Sequence, residues 1–108
     1  MEVALSERAQ RILRKLRPAP DLGGSIEAVT LDALRLRLRE VVDQVGAFEA
    51  RHGRTFEQFV ADWNGGRVPE RFSHRAEREF MEWEALSVER QELLDLIRQL
   101  SAPADAPS

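Results

Sequence analysis

Residues 30–53 read TLDALRLRLREVVDQVGAFEARHG, and this stretch decides the fold. Its apolar side chains recur at alternating steps of three and four residues, and they are Leu31, Leu34, Leu38, Val41, Val45 and Phe48. This spacing predicts an α-helix with the apolar seam of a coiled coil. Thr30 is the predicted N-cap, and Gly53 is the predicted stop because glycine accepts the left-handed backbone that ends many helices. The seam needs another helix to cover it.

Residues 73–101 supply a second long helix. Ser73 is its predicted N-cap, and positions 83, 86, 90, 93, 97 and 100 form an apolar line that is broken only at Arg90. A shorter helix is predicted to begin at Thr55, where Gln58 has the spacing of a capping box. At 1.5 Å per residue, the length of each long helix is well above the radius of gyration of about 13 Å that a compact domain of this size has. The pattern therefore predicts an elongated antiparallel helical hairpin with a short cross-helix.

The N-terminal part of the chain predicts one more helix. Ser6 is a suitable N-cap, and Pro18 disfavours helical geometry at the residue before it. Two prolines and two glycines make residues 18–25 a predicted linker. The complete prediction is one all-α domain over residues 1–101, made of an N-terminal helix (1–17), the linker and the hairpin (30–101), with a disordered tail at 102–108. Either the N-terminal helix or a second chain must cover what remains of the apolar stripes.

The composition excludes several classes of function. The 108 residues include no cysteine, which excludes disulfides, thiolate metal ligands and a thiol nucleophile. The net charge of −3 argues against nucleic-acid binding by the chain as a whole. No apolar run approaches the roughly 20 residues that span a membrane. Residues 1–15 contain no apolar signal-peptide core, so the expected location is the cytoplasm.

A search for chemistry in the sequence finds no catalytic constellation. There is no glycine-rich phosphate loop and no tyrosine. His52 and His74 lie at predicted helix ends, and the single pair of His74 and Glu77 offers too few ligands for a metal. The abundant carboxylates lie on helix faces opposite the apolar stripe. The sequence therefore predicts a protein that is not an enzyme and has no cofactor and no metal site.

The charges are divided unevenly along the chain. Arg8, Arg11 and Lys15 share one face of the N-terminal helix, whereas residues 73–101 carry seven acidic and four basic side chains. Two interpretations are open: the two helices are complementary within one molecule, or the acidic helix meets a basic partner and raises its association rate. The alternative function is nucleic-acid binding through Arg8, Arg11 and Lys15. No aromatic residue interleaves these cations to stack on bases, so this alternative is disfavoured.

Residues 51–86 carry the most specific pattern. A glycine turn leads into Thr-Phe-Glu-Gln-Phe, followed by a tryptophan, a glycine, a proline and a helix with an aromatic residue and Glu-Trp-Glu. The matching positions are Gly53, Thr55, Phe56, Glu57, Phe59, Trp63, Gly66, Pro69, Phe80, Glu82, Trp83 and Glu84. This pattern resembles a group of small prokaryotic helical proteins of largely uncharacterised function. The resemblance implies an antitoxin or accessory partner of a toxin–antitoxin pair, and it implies no catalytic residue.

The same segment also has a structural interpretation. Aromatic residues at helical spacing usually form core, so we expect one cluster at the end of the hairpin, made of Phe56, Phe59, Trp63, Phe72, Phe80 and Trp83. The function predicted from the sequence is a noncatalytic protein–protein interaction module whose partner is a protein, with a toxin as one candidate. We also expect a homodimer formed through the hairpin seam. The predicted partner-binding residues are Leu38, Val45, Arg90, Leu93 and Ile97.

Overall fold

The computed structural model of the chain describes residues 5–69 and 71–102. Within these ranges the chain forms four helices and no strand: α1 (Glu7–Leu16), α2 (Leu22–His52), α3 (Phe56–Asn64) and α4 (His74–Ser101). The molecule measures 57 × 33 × 28 Å, and its radius of gyration is 19.7 Å. A compact domain of this length has a radius of gyration of about 13 Å. The predicted all-α class and elongated shape are therefore confirmed.

The two long helices pack side by side and run in opposite directions. Arg37 donates two hydrogen bonds to the carboxylate of Glu89, at 2.6 and 2.7 Å. Farther along α2, the ring of Phe48 stacks on Trp83 at 5.5 Å between centroids. Arg51 then reaches Glu79, with Nη1 2.8 Å from Oε1. Residue numbers rise along α2 and fall along α4 through these contacts, so the apolar seams of the two helices face each other.

The apolar side chains between these helices form two clusters. The seam cluster contains the buried residues Val41, Val45 and Leu93, with Leu34, Leu38 and Leu86 packed against them. The corner cluster contains the buried residues Phe48, Phe59 and Trp83, and it lies where α3 crosses the end of the long pair. Its half-buried members are Phe56, Trp63, Val68, Phe80 and Leu86. Leu86 contacts both clusters and joins them into one core.

The predicted helix caps are confirmed where local chemistry sets them. The Thr55 hydroxyl accepts from the Gln58 backbone N–H at 3.2 Å, and Gln58 Oε1 accepts from the Thr55 N–H at 2.9 Å. This reciprocal pair is the predicted capping box. Gly53 has φ 63°, the left-handed conformation expected after α2. The hydroxyls of Ser6 and Ser73 accept from the third residue of α1 and α4, respectively.

The predicted linker is wrong over its last residues. Helix α2 begins at Leu22 rather than after Thr30, because Asp21 caps it by accepting from the Gly24 N–H at 2.7 Å. Thr30 lies inside the helix and donates its hydroxyl to the Ile26 carbonyl. A Cβ on Gly24 would lie 3.0 Å from Ala19 Cβ, so glycine here permits close passage of the chain that connects α1 and α2. Residues 103–108 of the predicted tail lie outside the described residues, and Ala102 directly follows α4.

Helix α1 packs on α2 without burying any of its own residues. A salt bridge holds its end to α2, with Arg17 Nη1 2.5 Å from Asp32 Oδ1. Ser25 of α2 is fully buried. Ile12 and Leu16 remain 52% and 62% exposed. Part of the apolar surface of the N-terminal helix, at Ile12 and Leu16, therefore remains in solvent, while Ala9 and Leu13 are half-buried.

Candidate interaction surfaces

The structure places the predicted partner-binding residues in or beside the intramolecular seam. Val45 and Leu93 are buried between α2 and α4, and Leu38 packs against them. Arg90 and Ile97 are half-buried on α4. A partner could contact Val45 or Leu93 only if the two helices separated. Periodicity identifies an apolar stripe, but it does not tell which helix covers the stripe, and here both helices belong to the same chain.

The aromatic cluster differs from the predicted set by three residues. Phe72 is 82% exposed, so its inclusion was wrong; Arg71 instead lies over its ring, with Cζ 4.6 Å from the centroid. Phe48 and His52 belong to the cluster and were not predicted. The His52 ring stacks on Trp83 at 5.2 Å between centroids. Phe48 and His52 are four residues apart on α2, so their shared helix face was the available signal.

Helix α1 presents an exposed surface that we call the basic apolar face, made of Leu5, Arg8, Ile12, Lys15 and Leu16. All five residues are exposed. Steps of four, three and one residues bring Arg8, Ile12, Lys15 and Leu16 to one side of α1, and Leu5 directly precedes the N-cap Ser6. In the described part of the chain, no ion pair involves Arg8 or Lys15. This face combines apolar anchors with unneutralised positive charge.

Helix α4 presents a second exposed surface that we call the acidic apolar face, made of Met81, Glu84, Ala85, Val88 and Glu92. Met81 and Val88 are 67% and 53% exposed, and the other three are exposed as well. These residues lie on the side of α4 that faces away from Trp83 and Leu93. No ion pair among the described residues uses Glu84 or Glu92. Sequence reasoning missed this face because single exposed apolar residues are common on any protein surface.

The ionisable groups with perturbed pKa values belong to surface ion pairs. Hydrogen bonds from Arg37 lower the pKa of Glu89 below its usual value. The hydrogen bond from Arg67 is the main cause that lowers the pKa of Asp62, and the positive charge of Arg54 lowers it further. Both carboxylates are therefore held in the ionised form by neighbouring cations. Such pairs orient side chains, and neither arrangement supplies the raised carboxyl pKa of a general acid.

The described residues contain no group of three or more His, Cys, Asp or Glu side chains that could hold a metal ion. Across the same part of the chain, no helix is long and apolar enough to cross a membrane.

A cavity of about 370 Å³ lies beside the corner cluster, between the end of α2, α3 and the start of α4. Its cationic lining is Arg51, Arg54 and Arg75, and its walls include Phe59 and Val68. This cavity is separate from the basic and acidic apolar faces.

No family model matches this chain, and neither a curated protein nor a solved structure matches it.

Proposed function

We propose that this chain is a noncatalytic protein–protein interaction module of the antitoxin or accessory-subunit kind, and that its first partner is a second copy of itself. The observation that carries the proposal is α1, an amphipathic helix in which no residue is buried and whose Ile12 and Leu16 stay more than half exposed. An amphipathic helix gains most of its stability from packing its apolar side. A contact that covers this side supplies that packing.

Charge complementarity selects the second copy as the occupant. The basic apolar face carries Arg8 and Lys15 around Ile12 and Leu16, whereas the acidic apolar face carries two glutamates around Met81 and Val88. Placing α1 of one chain on α4 of the other pairs cations with carboxylates and covers apolar residues on both helices. Complementary potentials of this kind accelerate association and fix orientation.

The symmetry of such a dimer doubles each contact. In a two-fold arrangement, α1 of each chain meets α4 of the other, so the same contact forms twice. A ten-residue helix is only about 15 Å long, and one contact of that length is small against the 1,200 Å² or so that stable interfaces bury in total. A dimer with two such contacts lies at the small end of this size range, where association is weak.

The proposal is tested with a pair of charge-reversed chains. Variant A carries Arg8→Glu and Lys15→Glu, and variant B carries Glu84→Lys and Glu92→Lys. Each variant alone places like charges across both contacts, so sedimentation velocity should record a monomer. An equimolar mixture restores attraction at both contacts and should yield a heterodimer, while the wild-type chain should dimerise. The matched control carries Arg35→Glu and Arg39→Glu, two exposed α2 positions outside both faces, and should dimerise like the wild type.

Three results would contradict the proposal: a monomeric wild-type chain at 100 µM, a dimer that persists in variants A and B, or a mixture that fails to associate. The nucleic-acid alternative is measured in parallel with a labelled duplex. Submicromolar duplex binding at physiological salt that is lost with Arg8→Glu and Lys15→Glu, in a chain that stays monomeric, would establish that alternative through Arg8, Arg11 and Lys15. A few phosphate contacts give binding that weakens steeply as salt rises.

A further inference from the structure

We propose that the cavity between the end of α2, α3 and the start of α4 binds an organic carboxylate, supplied either by a free acid or by the C-terminus of a peptide. This inference does not depend on the dimer, because the cavity lies outside both interaction faces. Three guanidinium groups come to the cavity from separate segments: Arg51 from the end of α2, Arg54 from the turn after it, and Arg75 from the first turn of α4.

Two carboxylates position these cations: Asp62 pairs with Arg54, with Nη1 2.5 Å from Oδ2, and Glu79 faces Arg51 and Arg75. Glu79 accepts from Arg51 Nη1 at 2.8 Å and from His52 Nε2 at 3.1 Å, and Arg75 Nε lies 3.7 Å away. The Glu79 side chain is only 17% exposed. The His52 ring is held in turn by Trp83 and by Phe59, at 5.2 and 4.9 Å between centroids. Arg51 is therefore connected to the core through Glu79 and His52, whereas Arg75 projects into solvent at the edge of the cavity.

The rim keeps unused hydrogen-bond capacity. Arg51 uses Nη1 in its bond to Glu79, and Arg54 uses Nε and Nη1 toward the His52 carbonyl and Asp62. Among the described residues no hydrogen bond engages the guanidinium of Arg75, which is 77% exposed. Guanidinium groups present five donors in a planar fork that suits a carboxylate. The remaining N–H groups can donate hydrogen bonds to both oxygens of an incoming carboxylate.

The charge of its lining distinguishes this cavity from two others along α2 and α4. Its lining carries three arginines against one glutamate. The cavity beside Arg37 balances two arginines with two glutamates, and the cavity beside Arg90 has two glutamates against one arginine. The positive cavity also has apolar walls formed by Phe59, Val68, Pro69 and Ala76. A ligand with a carboxylate next to an aliphatic group matches both features, whereas a bare inorganic anion matches only the charge.

The test is an NMR titration of the full ¹⁵N-labelled chain with four probes. N-acetyl-leucine represents a peptide C-terminus, 4-methylpentanoate represents a free acid, N-acetyl-leucinamide is the neutral isostere, and inorganic phosphate is the bare anion. We expect saturable shifts confined to residues 51–54, 59, 68–69 and 71–79 with at least one of the two carboxylates. The tighter of the two identifies the source of the ligand. Arg75→Gln should weaken that binding about ten-fold, as expected for a hydrogen bond to a charged group.

The matched control is Arg78→Gln, one turn farther along α4 and outside the cavity lining, which should leave binding unchanged. Arg75 is exposed, so its replacement tests the site without disturbing the core. The proposal is overturned if neither carboxylate saturates by 20 mM, if the amide or phosphate binds as tightly as the acids, or if Arg75→Gln has no effect. Neither variant alters the two interaction faces, so the outcome is independent of the oligomeric state.

Discussion

Replacing Trp83 by alanine should remove the centre of the corner cluster. The Trp83 side chain is fully buried, and its ring lies 5.0 Å from Phe59, 5.4 Å from Phe56 and 5.5 Å from Phe48 between centroids. Truncation of a buried tryptophan to alanine costs about 3–5 kcal/mol of unfolding free energy. Among the described residues the indole Nε1 has no hydrogen-bond partner. Its removal offsets part of the loss, so we expect a value near the lower end, about 3 kcal/mol.

Urea denaturation followed by circular dichroism at 222 nm measures this loss. Trp83→Phe retains most of the ring and discards the unpaired N–H, so it should cost less than half as much as Trp83→Ala. The matched control is Phe72→Ala, which removes an exposed aromatic ring stacked with Arg71 and should cost less than about 1 kcal/mol. A loss below about 1 kcal/mol for Trp83→Ala would refute the buried cluster as the main source of stability at this end. Equal losses for the alanine and phenylalanine variants would refute the assigned role of the unpaired N–H.

Three further predictions concern local features. Thr55→Ala removes the capping box and should lower the unfolding free energy by about 1 kcal/mol in the same assay, and an unchanged urea midpoint would contradict it. Gly53→Ala places a side chain in the left-handed conformation and should cost about 1–2 kcal/mol; a stabilised variant would show that the turn relaxes. Arg37 lowers the pKa of Glu89 in the folded chain below its ordinary 4.5. The unfolded chain therefore binds more protons at acidic pH, and the stability that the Arg37–Glu89 pair contributes is lost as the pH falls through the lowered pKa. Glu89→Gln should therefore reduce the loss of stability on acidification from pH 6 to pH 3, whereas Glu27→Gln, at an exposed carboxylate outside any described ion pair and outside both interaction faces, should follow the wild type.

The helix ends could be predicted from the sequence where the capping residue acts within a single turn of the chain. The Ser6 and Thr55 hydroxyls and the glycine at position 53 act on backbone groups within four residues, so their effect can be recognised without knowledge of the fold. The start of α2 was missed because Gly23 and Gly24 were interpreted as helix breakers. Asp21 caps this end, and the low helix propensity of glycine is tolerated in the first turn.

The interaction surfaces could not be predicted in the same way. The apolar seam of α2 at Val41 and Val45 and its pairing with the second long helix were predicted from the sequence, but how much of each apolar stripe this pairing buries is a tertiary property that periodicity does not encode. Phe72 has the same aromatic character as Phe80, yet only Phe80 is carried into the cluster, because it lies on the inner side of α4. Burial of one and exposure of the other depend on where the turn before α4 directs the chain.

Stability is distributed unequally along the molecule because α1 buries no side chain. Opening α1 exposes little new apolar surface, so its amide protons should exchange with solvent at low local cost, whereas amides around Trp83 exchange only when the whole domain unfolds. A partner that covers the basic apolar face therefore also orders α1. Fixing the backbone costs about 1–2 kcal/mol per residue that becomes ordered, and this cost reduces the net binding free energy. The affinity of such a contact depends on the intrinsic helicity of α1 as well as on the touching atoms. Substitutions on its solvent side can thus tighten or weaken association at a distance from the partner.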